Sequence, residues 1–248
     1  MSGSRPTVVL VHGAANSAVV WRFWREHLDA AGYPTRAPDL RGHGANPFDG
    51  LDHTPMADYV DDVRGATAAL PAPPVVAGWS MGGLVALMYA VRFPVAGVIA
   101  LGPSLPGPLL ETPSREPLVP GVYGPEAYGI THRGTRDQPT MFDLDTEETS
   151  LALASLGLES AMARQDRKRG IALDPRSIGG RALVIAGERD ETIPPAAGRR
   201  LARFLGGEYL EFEGASHWGL VLNRGALTGG MPAILRWLDA LSGASAIR

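Results

Sequence analysis

Ser80 stands in residues 78–82 (GWSMG), whose residue types and spacing suit a nucleophilic serine. The apolar run before it, residues 74–77, is typical of a buried strand, and the longer apolar run after it, residues 83–90, is typical of a buried helix. A serine between two glycines at a strand-to-helix turn is a nucleophile elbow. The strained turn pushes the hydroxyl out above the sheet, and glycine avoids the Cβ atoms that would collide with neighbouring backbone. The segment therefore predicts covalent catalysis by Ser80, assisted by the positive end of the following helix.

The groups that such a serine needs follow other apolar runs of strand length. A serine hydroxyl needs a base to take its proton, and histidine is the usual base. The histidine in turn needs a carboxylate that holds its tautomer and stabilises the imidazolium. His217 follows the last predicted strand, and two carboxylates, Glu188 and Asp190, follow the strand before it. In an open parallel sheet the site forms at the carboxyl ends of the strands, so we expect these side chains beside Ser80.

Strand-like and helix-like segments alternate along most of the chain. A continuous β-branched and apolar run such as residues 7–11 is typical of a strand buried on both faces, and Thr54 with Pro55 is typical of a helix start, as N-cap and first-turn proline. The alternation predicts the α/β class, with a mostly parallel sheet and helices on both faces. The predicted strands are residues 7–11, 35–38, 74–77, 95–101, 182–186 and 208–212, and the predicted helices are residues 20–31, 54–70, 80–90, 196–205 and 226–241.

Residues 103–179 interrupt this alternation. The stretch holds nine prolines, and its first half has no clear period, whereas residues 146–169 have a helical pattern with Asp145 as N-cap and a break at Gly157. A loop-rich stretch of this length is usually functional, often an active-site lid. We therefore predict a core built from residues 1–102 and 180–248, and a small, largely helical cap formed by residues 103–179.

The apolar side chains of this insertion predict a substrate pocket, because they have no sheet of their own to cover. Met141, Phe142 and Met162 are the principal candidates for its lining, together with Leu151, Leu153, Leu156 and Leu158. Such a pocket would prefer an apolar acyl or aromatic group. The alternative is that these residues only pack onto the outer surface of the core.

Composition excludes several classes of protein. With 248 residues, 45% of them hydrophobic, the chain can bury a sizeable core, and its net charge of −3 argues against a nucleic-acid binder. There is no cysteine, which excludes disulfides, thiolate metal sites and a cysteine nucleophile. The N-terminal residues lack the apolar stretch of a signal peptide, and no apolar run approaches the ~18 residues that span a bilayer. We expect a cytoplasmic protein with no membrane span.

The remaining charged clusters and histidines are interpreted as structural. One basic cluster predicts a solvated helix face, and one acidic cluster predicts a helix start that complements the helix dipole rather than a metal site. These clusters are Arg164, Arg167, Lys168 and Arg169, and Asp143, Asp145, Glu147 and Glu148. His12 is expected to brace the turn after the first strand and His43 to pack its own loop, whereas His132 stands in the insertion, where it could contact a substrate. No metal or organic cofactor is implied.

Five motifs together resemble the α/β-hydrolase superfamily over nearly the whole chain. They are His12-Gly13 after the first strand, residues 39–44 (DLRGHG), the Ser80 elbow, residues 187–190 (GERD) with Pro194 four residues on, and Ser216-His217. The order serine, acid, histidine along the chain is that of the superfamily. The resemblance thus implies a catalytic triad of Ser80, Asp190 and His217, with Asp190 rather than Glu188 as the acid.

The resemblance also implies the rest of the site. In similar proteins the oxyanion hole uses the amide of the residue after His-Gly, here Ala14, and that of the residue after the nucleophile, here Met81. Ala15, Trp79 and Trp218 flank these residues and are predicted to contact substrate, although core packing is the default for both tryptophans. The chain begins at what is usually the third strand of the fold, so the leading antiparallel hairpin is expected to be missing. The insertion stands where the family carries its cap.

The activity that the resemblance implies is that of a serine hydrolase. It would cleave a carboxylic ester, lactone or thioester through an acyl-enzyme on Ser80, and its elbow resembles that of small carboxylesterases and cofactor-free perhydrolases. Two alternatives stay open: a C–C bond hydrolase, lyase or cyclase with the same triad, and a ligand-binding receptor without enzymatic activity. The expected partner is a small-molecule substrate with an apolar acyl or aromatic part. The sequence leaves its exact acyl and alcohol groups open, and the oligomeric state too, a homodimer included.

Overall fold

The computed structural model describes residues 5–130 and 138–244, and its elements follow the predicted alternation. The strands are β1 (Val8–Val11), β2 (Thr35–Arg36), β3 (Val75–Trp79), β4 (Gly97–Leu101), β5 (Val122–Tyr123), β6 (Glu159–Ser160), β7 (Arg181–Gly187) and β8 (Glu208–Phe212). The helices are α1 (Arg22–Ala30), α2 (Met56–Thr67), α3 (Met81–Ala90), α4 (Thr146–Ala154), α5 (Ala161–Arg169), α6 (Pro195–Leu205), α7 (Gly219–Leu222) and α8 (Arg224–Ala244).

Six strands form one parallel sheet in the order β2-β1-β3-β4-β7-β8. This confirms the predicted α/β class with a mostly parallel sheet. Because the strands are parallel, their carboxyl ends share one edge of the sheet. The segments that follow β3, β7 and β8 carry Ser80, Asp190 and His217, so the topology brings these three residues to the same edge.

The sheet is covered on both faces, as the continuous apolar strands predict. In β1, Val8 and Leu10 belong to the hydrophobic cluster with α1 and α8, while Val9 and Val11 belong to the cluster with α2 and α3. Alternate side chains of a strand point to opposite faces, so a strand buried on both faces has no polar positions. All ten residues of α3 are buried too, which explains why that helix is apolar on every side.

Several predicted boundaries differ from the structure. The helix predicted from residue 20 begins as a 3-10 turn, Ala18–Trp21, before α1. Thr54 is not the N-cap of α2, because its hydroxyl donates to the Gly50 carbonyl and Pro55 occupies the cap position. The short helix α7 was not predicted.

The segment between β4 and β7, residues 103–179, is here called the cap segment. Its first half, where the sequence shows no clear period, forms 3-10 turns and the strand β5; this strand pairs antiparallel with β6, Val122 opposite Ser160. The second half holds α4 and α5. Asp145 is confirmed as N-cap of α4, in a capping box with Glu148. His132 lies outside the described residues. Of the helices that the structure describes, none is both long and apolar enough to cross a bilayer.

Two glycines allow backbone segments to approach closely around the elbow. A Cβ atom at Gly78 would lie 2.0 Å from the Gly82 carbonyl oxygen, and one at Gly82 would lie 2.2 Å from that of Val11. Any side chain at these positions would push β3, α3 and the end of β1 apart. The predicted reason for both glycines, collision with backbone, is confirmed.

Replacing Gly82 by Ala is expected to lower the free energy of unfolding by at least ~2 kcal/mol, because the methyl group overlaps backbone that cannot give way. Gly65→Ala is the matched control: an added Cβ meets nothing within 4 Å in the last turn of α2, so stability should rise by ~0.5–1 kcal/mol. Urea unfolding of the two variants measures both changes. Equal stability of the two variants would contradict the close approach at Gly82.

Candidate active site

Ser80 has a backbone conformation that is rare for a residue with a side chain, with φ 55° and ψ −119°. Its N–H donates to the Leu101 carbonyl over 2.9 Å, and its own carbonyl accepts the Ser104 N–H over 3.0 Å. The segment that follows β4 therefore holds the serine from both sides. These bonds support a conformation that costs about 1–3 kcal/mol in isolation.

His217 and Asp190 form a buried pair at the same edge of the sheet. The His217 Nδ1 atom lies 2.7 Å from Asp190 Oδ2, and Asp190 is 2% exposed. The other carboxylate oxygen, Oδ1, accepts the backbone N–H groups of Thr192 and Ile193 at 2.9 and 2.8 Å. With its carboxylate held in this way, Asp190 accepts a hydrogen bond from Nδ1–H of His217, and Nε2 is left unprotonated to act as the base.

The rival carboxylate, Glu188, is exposed and accepts the Gly214 N–H, so it does not contact the histidine ring. Sequence reasoning missed Gly102, which follows β4 with φ 43°. A Cβ atom there would lie 2.9 Å from Asp190 Oδ2 and 3.1 Å from His217 Nδ1. Only a residue without a side chain fits against this pair.

Trp79 connects the elbow to the histidine loop. Its indole N–H donates to the His217 backbone carbonyl over 2.9 Å, and its ring centroid lies 5.2 Å from that of His217 and 5.0 Å from that of Trp218. Both tryptophans are nearly buried, and both also contribute to the wall of the cavity described below. They thus pack the core and face the site at once.

The turn after β1 is braced by His12, as the sequence predicts. Nδ1 of His12 donates to the Gly13 carbonyl over 2.8 Å, and its Nε2 accepts the Leu40 N–H over 3.1 Å. This pairing requires the neutral ring. Burial, and next the neighbouring His43, lower the pKa of His12 to about 4, so the ring stays neutral at physiological pH.

Three amides beside the elbow, those of Ala14, Ala15 and Met81, differ in what they contact. Among the described residues, no protein acceptor takes the N–H of Ala14 or that of Met81. The N–H of Ala15, which has φ 55°, donates to Glu159 Oε2 over 3.1 Å. The two amides without protein acceptors are the two that the family resemblance assigns to an oxyanion hole.

Glu159, from β6 of the cap segment, is fully buried beneath this turn. Its carboxylate also accepts the Tyr59 hydroxyl over 2.5 Å and the Ser160 N–H over 2.8 Å, and it lies 3.4 Å from His43 Nε2. Burial alone would raise the pKa of Glu159, but His43, and next Arg167 and Tyr59, lower it so that the net shift is downward. Burial likewise lowers the pKa of His43, but Glu159, and next the Arg41 carbonyl and Asp39, raise it so that the net shift is upward. Both shifts favour the charged form of the pair, and nothing in the local sequence marks Glu159 as its acid.

Ser80 and His217 open onto one cavity of about 350 Å³ between the sheet edge and the cap segment. Besides Ser80 and His217, its wall includes four predicted site residues, Ala14, Ala15, Trp79 and Trp218, and ten further residues of both apolar and polar types. The others besides Ser80 and His217 are Asn16, Ser104, Ala127, Tyr128, Ile130, Thr140, Leu156, Arg167, Thr192 and Ile193.

The prediction that Met141, Phe142 and Met162 line the pocket was wrong. Met141 is buried in the core cluster with α1 and α8, and Phe142 is 44% exposed with the Arg189 guanidinium 4.2 Å above its ring. Met162 is partly buried on α5 and is not part of the cavity wall. Apolar type alone did not reveal the direction of these side chains, and of the predicted leucines only Leu156 reaches the cavity.

Two charged clusters also need correction. Arg167 does not belong to a solvated face, because it points into the cavity, four residues after the buried Ala163 on the same face of α5. Asp143 is not part of the start of α4, because its Oδ2 accepts the Ser216 N–H over 2.9 Å beside His217. The described residues contain no group of three or more acidic or histidine side chains that could hold a metal ion.

Comparison with known proteins identifies the family. The sequence model of the alpha/beta hydrolase family matches residues 8–227. The chain belongs to the alpha/beta hydrolase family. Within this family it is 32% identical over 242 residues to the pimeloyl-(acyl-carrier protein) methyl ester esterase of Chromobacterium violaceum, covering 87% of this chain and 88% of that protein. A protein of the same name from Aromatoleum aromaticum is 36% identical over 130 residues, 52% of this chain and 48% of the relative.

A solved alpha/beta hydrolase structure shows the same fold. The methylesterase MES16 from Arabidopsis superposes with a TM-score of 0.73 at 20% sequence identity, covering 94% of this chain and 99% of that one. The similarity extends over nearly the full length of both chains.

The neutral His12 predicts a loss of stability in mild acid. The folded protein keeps this ring neutral down to about pH 4, whereas the unfolded chain takes up a proton near its ordinary pKa of ~6.5. Unfolding is therefore coupled to proton uptake between these values, so stability falls as the pH decreases from ~6.5 to ~4, by about 3 kcal/mol from this ring.

His12→Gln should flatten this part of the pH profile, measured by urea unfolding in steps from pH 7 to pH 4. His53→Gln, at a side chain that is 68% exposed, is the matched control and should keep the wild-type slope. The same slope in the His12 variant as in wild type would contradict a neutral buried ring.

Proposed function

We propose that this alpha/beta hydrolase is a serine hydrolase that cleaves carboxylic esters through an acyl-enzyme on Ser80. The observation that carries the proposal is the 2.7 Å contact between His217 and the buried Asp190, in the cavity onto which Ser80 also opens. A serine alone would be a weak nucleophile at neutral pH, and this pair supplies the base and its orienting carboxylate.

Each group has one role in the proposed reaction. His217 takes the proton of the Ser80 hydroxyl as the oxygen attacks the carbonyl carbon, and returns it to the leaving alcohol. The negative oxygen of the tetrahedral intermediate accepts the N–H groups of Ala14 and Met81, a contribution of roughly 3–4 kcal/mol per donor. Water, activated by His217 in the same way, then releases the acid from Ser80.

The relatives support the ester class. The two relatives described above, from Chromobacterium violaceum and Aromatoleum aromaticum, are methyl ester esterases by name. We propose that the cap segment roofs the pocket, with Ile130 and Leu156 from the cap and Ile193 and Trp218 from the core forming its apolar part. Such walls favour an apolar acyl chain, at ~0.8 kcal/mol per buried methylene group.

Ser80→Ala is expected to abolish labelling by a fluorophosphonate probe and to lower kcat for a simple ester by at least ~1,000-fold, because no other group can form the acyl-enzyme. Ser150→Ala, at an exposed serine on α4, should label and turn over like wild type. Labelling that survives in the Ser80 variant would remove Ser80 from the mechanism.

Replacing each of the two candidate acids by the corresponding amide distinguishes between them. Asp190→Asn should reduce kcat by at least ~1,000-fold. The amide oxygen can still accept the backbone N–H groups of Thr192 and Ile193, but the neutral amide can no longer stabilise the imidazolium of His217. Glu188→Gln should stay within ~3-fold of wild type, because that side chain contacts only the Gly214 amide. Steady-state kinetics with one ester tests both variants, and the reverse ranking would assign the acid to Glu188.

A further inference from the structure

The cavity contains one buried cation that the proposed reaction does not use. Arg167 reaches the cavity from α5, and Tyr128 and Ser104 are also part of the wall. Its Nη1 donates to the Ser104 hydroxyl over 3.3 Å, and its Nη2 donates to the hydroxyls of Tyr123 and Tyr128 over 3.2 Å each. All three acceptors are neutral.

The charge of Arg167 has no carboxylate partner among the described residues. The buried Glu159 interacts with Arg167 through its charge but forms no direct ion pair with it, and its hydrogen bonds go to Ala15, Tyr59 and Ser160. The Nε atom of Arg167 is buried and has no hydrogen-bond partner within residues 5–130 and 138–244. A guanidinium is protonated at every accessible pH, so the cavity has a permanent positive charge that protein groups only partly solvate.

A second unused donor lies in the same wall. The hydroxyl of Thr140 is buried without a hydrogen-bond partner in the part of the chain that the structure describes. With Ser104 and Tyr128, it makes a polar end in a cavity whose other walls are Ile130, Leu156 and Ile193. Buried polar groups without partners are rare in native proteins and are typical of sites that a ligand completes.

We propose that this polar end binds a free carboxylate on the acyl part of the substrate, so that the preferred substrates are half-esters of dicarboxylic acids. The inference rests on the proposed esterase function of the same cavity. Of the five N–H donors of Arg167, three are used by Ser104, Tyr123 and Tyr128, and the remaining two can donate to a carboxylate together with the O–H of Thr140. One guanidinium balances the single charge of a carboxylate, whereas a phosphate monoester would bring nearly two charges into the cavity.

The test compares two series of ethyl esters, with acid release as the readout. Monoethyl glutarate, adipate and pimelate carry the carboxylate, and ethyl pentanoate, hexanoate and heptanoate are neutral esters with the same acyl carbon numbers. In the wild-type protein, kcat/KM should be higher for the charged member of at least one pair. Arg167→Met should lower that charged-to-neutral ratio by about 10- to 100-fold, mainly through KM, since a hydrogen bond to a charged group is worth a factor of this size.

Three further variants separate recognition from structural effects. Arg164→Met is the matched control. Arg164 lies one turn earlier on α5, with its guanidinium over the rings of Tyr123 and Tyr128, but it is not part of the cavity wall. Its loss should therefore leave the charged-to-neutral ratio unchanged. Arg167→Lys keeps the charge and should keep part of the preference. Thr140→Val keeps the branched shape of the side chain but removes its hydroxyl, and it should lower the ratio several-fold even if Arg167→Met fails to fold.

The outcomes distinguish this inference from the function on which it rests. If the wild type hydrolyses the neutral esters but does not prefer the charged ones, the carboxylate subsite is overturned and the esterase function stands. The same conclusion follows if folded Arg167→Met and Thr140→Val both keep the charged-to-neutral ratio of the wild type. If no ester of either series is hydrolysed, both are overturned.

Discussion

The left-handed backbone of Ser80 is the constraint on which the rest of the structure depends. It exists because three segments meet with almost no space between them: the end of β1, the end of β3 and the start of α3. Gly78 and Gly82 make that approach sterically feasible, and the segment after β4 holds the serine amide and carbonyl. The same approach places the turn after β1 against the elbow, since a Cβ atom at Gly13 would lie 2.8 Å from the Trp79 ring. The strain at one residue thus fixes the distance between the nucleophile and the amides that face it.

The cap segment is joined to the sheet edge by charged side chains rather than by apolar packing alone. Glu159 accepts an amide of the turn after β1, and Asp143 accepts one of the loop after β8. Hydrogen bonds with an ionised partner are shorter and stronger than neutral ones, and a buried location strengthens them further. Each of these loops also carries or supports a residue of the proposed triad or oxyanion hole, so the cap segment contributes to the geometry of the site and not only to its cover.

Sequence patterns predicted the sheet and the triad candidates because their causes are local. A strand such as β1 must be apolar at every position when both faces are buried, and a serine at a tight turn needs its glycines. The cap segment was predicted less well, since β5 and β6 have two residues each and show no periodicity. Side-chain direction was harder still: Phe142 faces Arg189 in solvent and Arg167 faces the cavity, although their residue types suggested the opposite. Glu159 was missed because its partners come from distant parts of the chain, which a single sequence does not place together.

The position of the cap segment in the chain has an entropic consequence. Leu101 and Ile185 are paired across β4 and β7, so the whole segment is a loop closed by one strand pairing. The entropy lost on closing a flexible loop grows only with the logarithm of its length, and a doubling adds just ~0.6 kcal/mol. Insertions or deletions in the cap segment therefore change the entropy of closing this loop only a little, while they reshape the cavity wall that the segment supplies. The cap segment can thus change the shape of the cavity with little effect on the stability of the sheet.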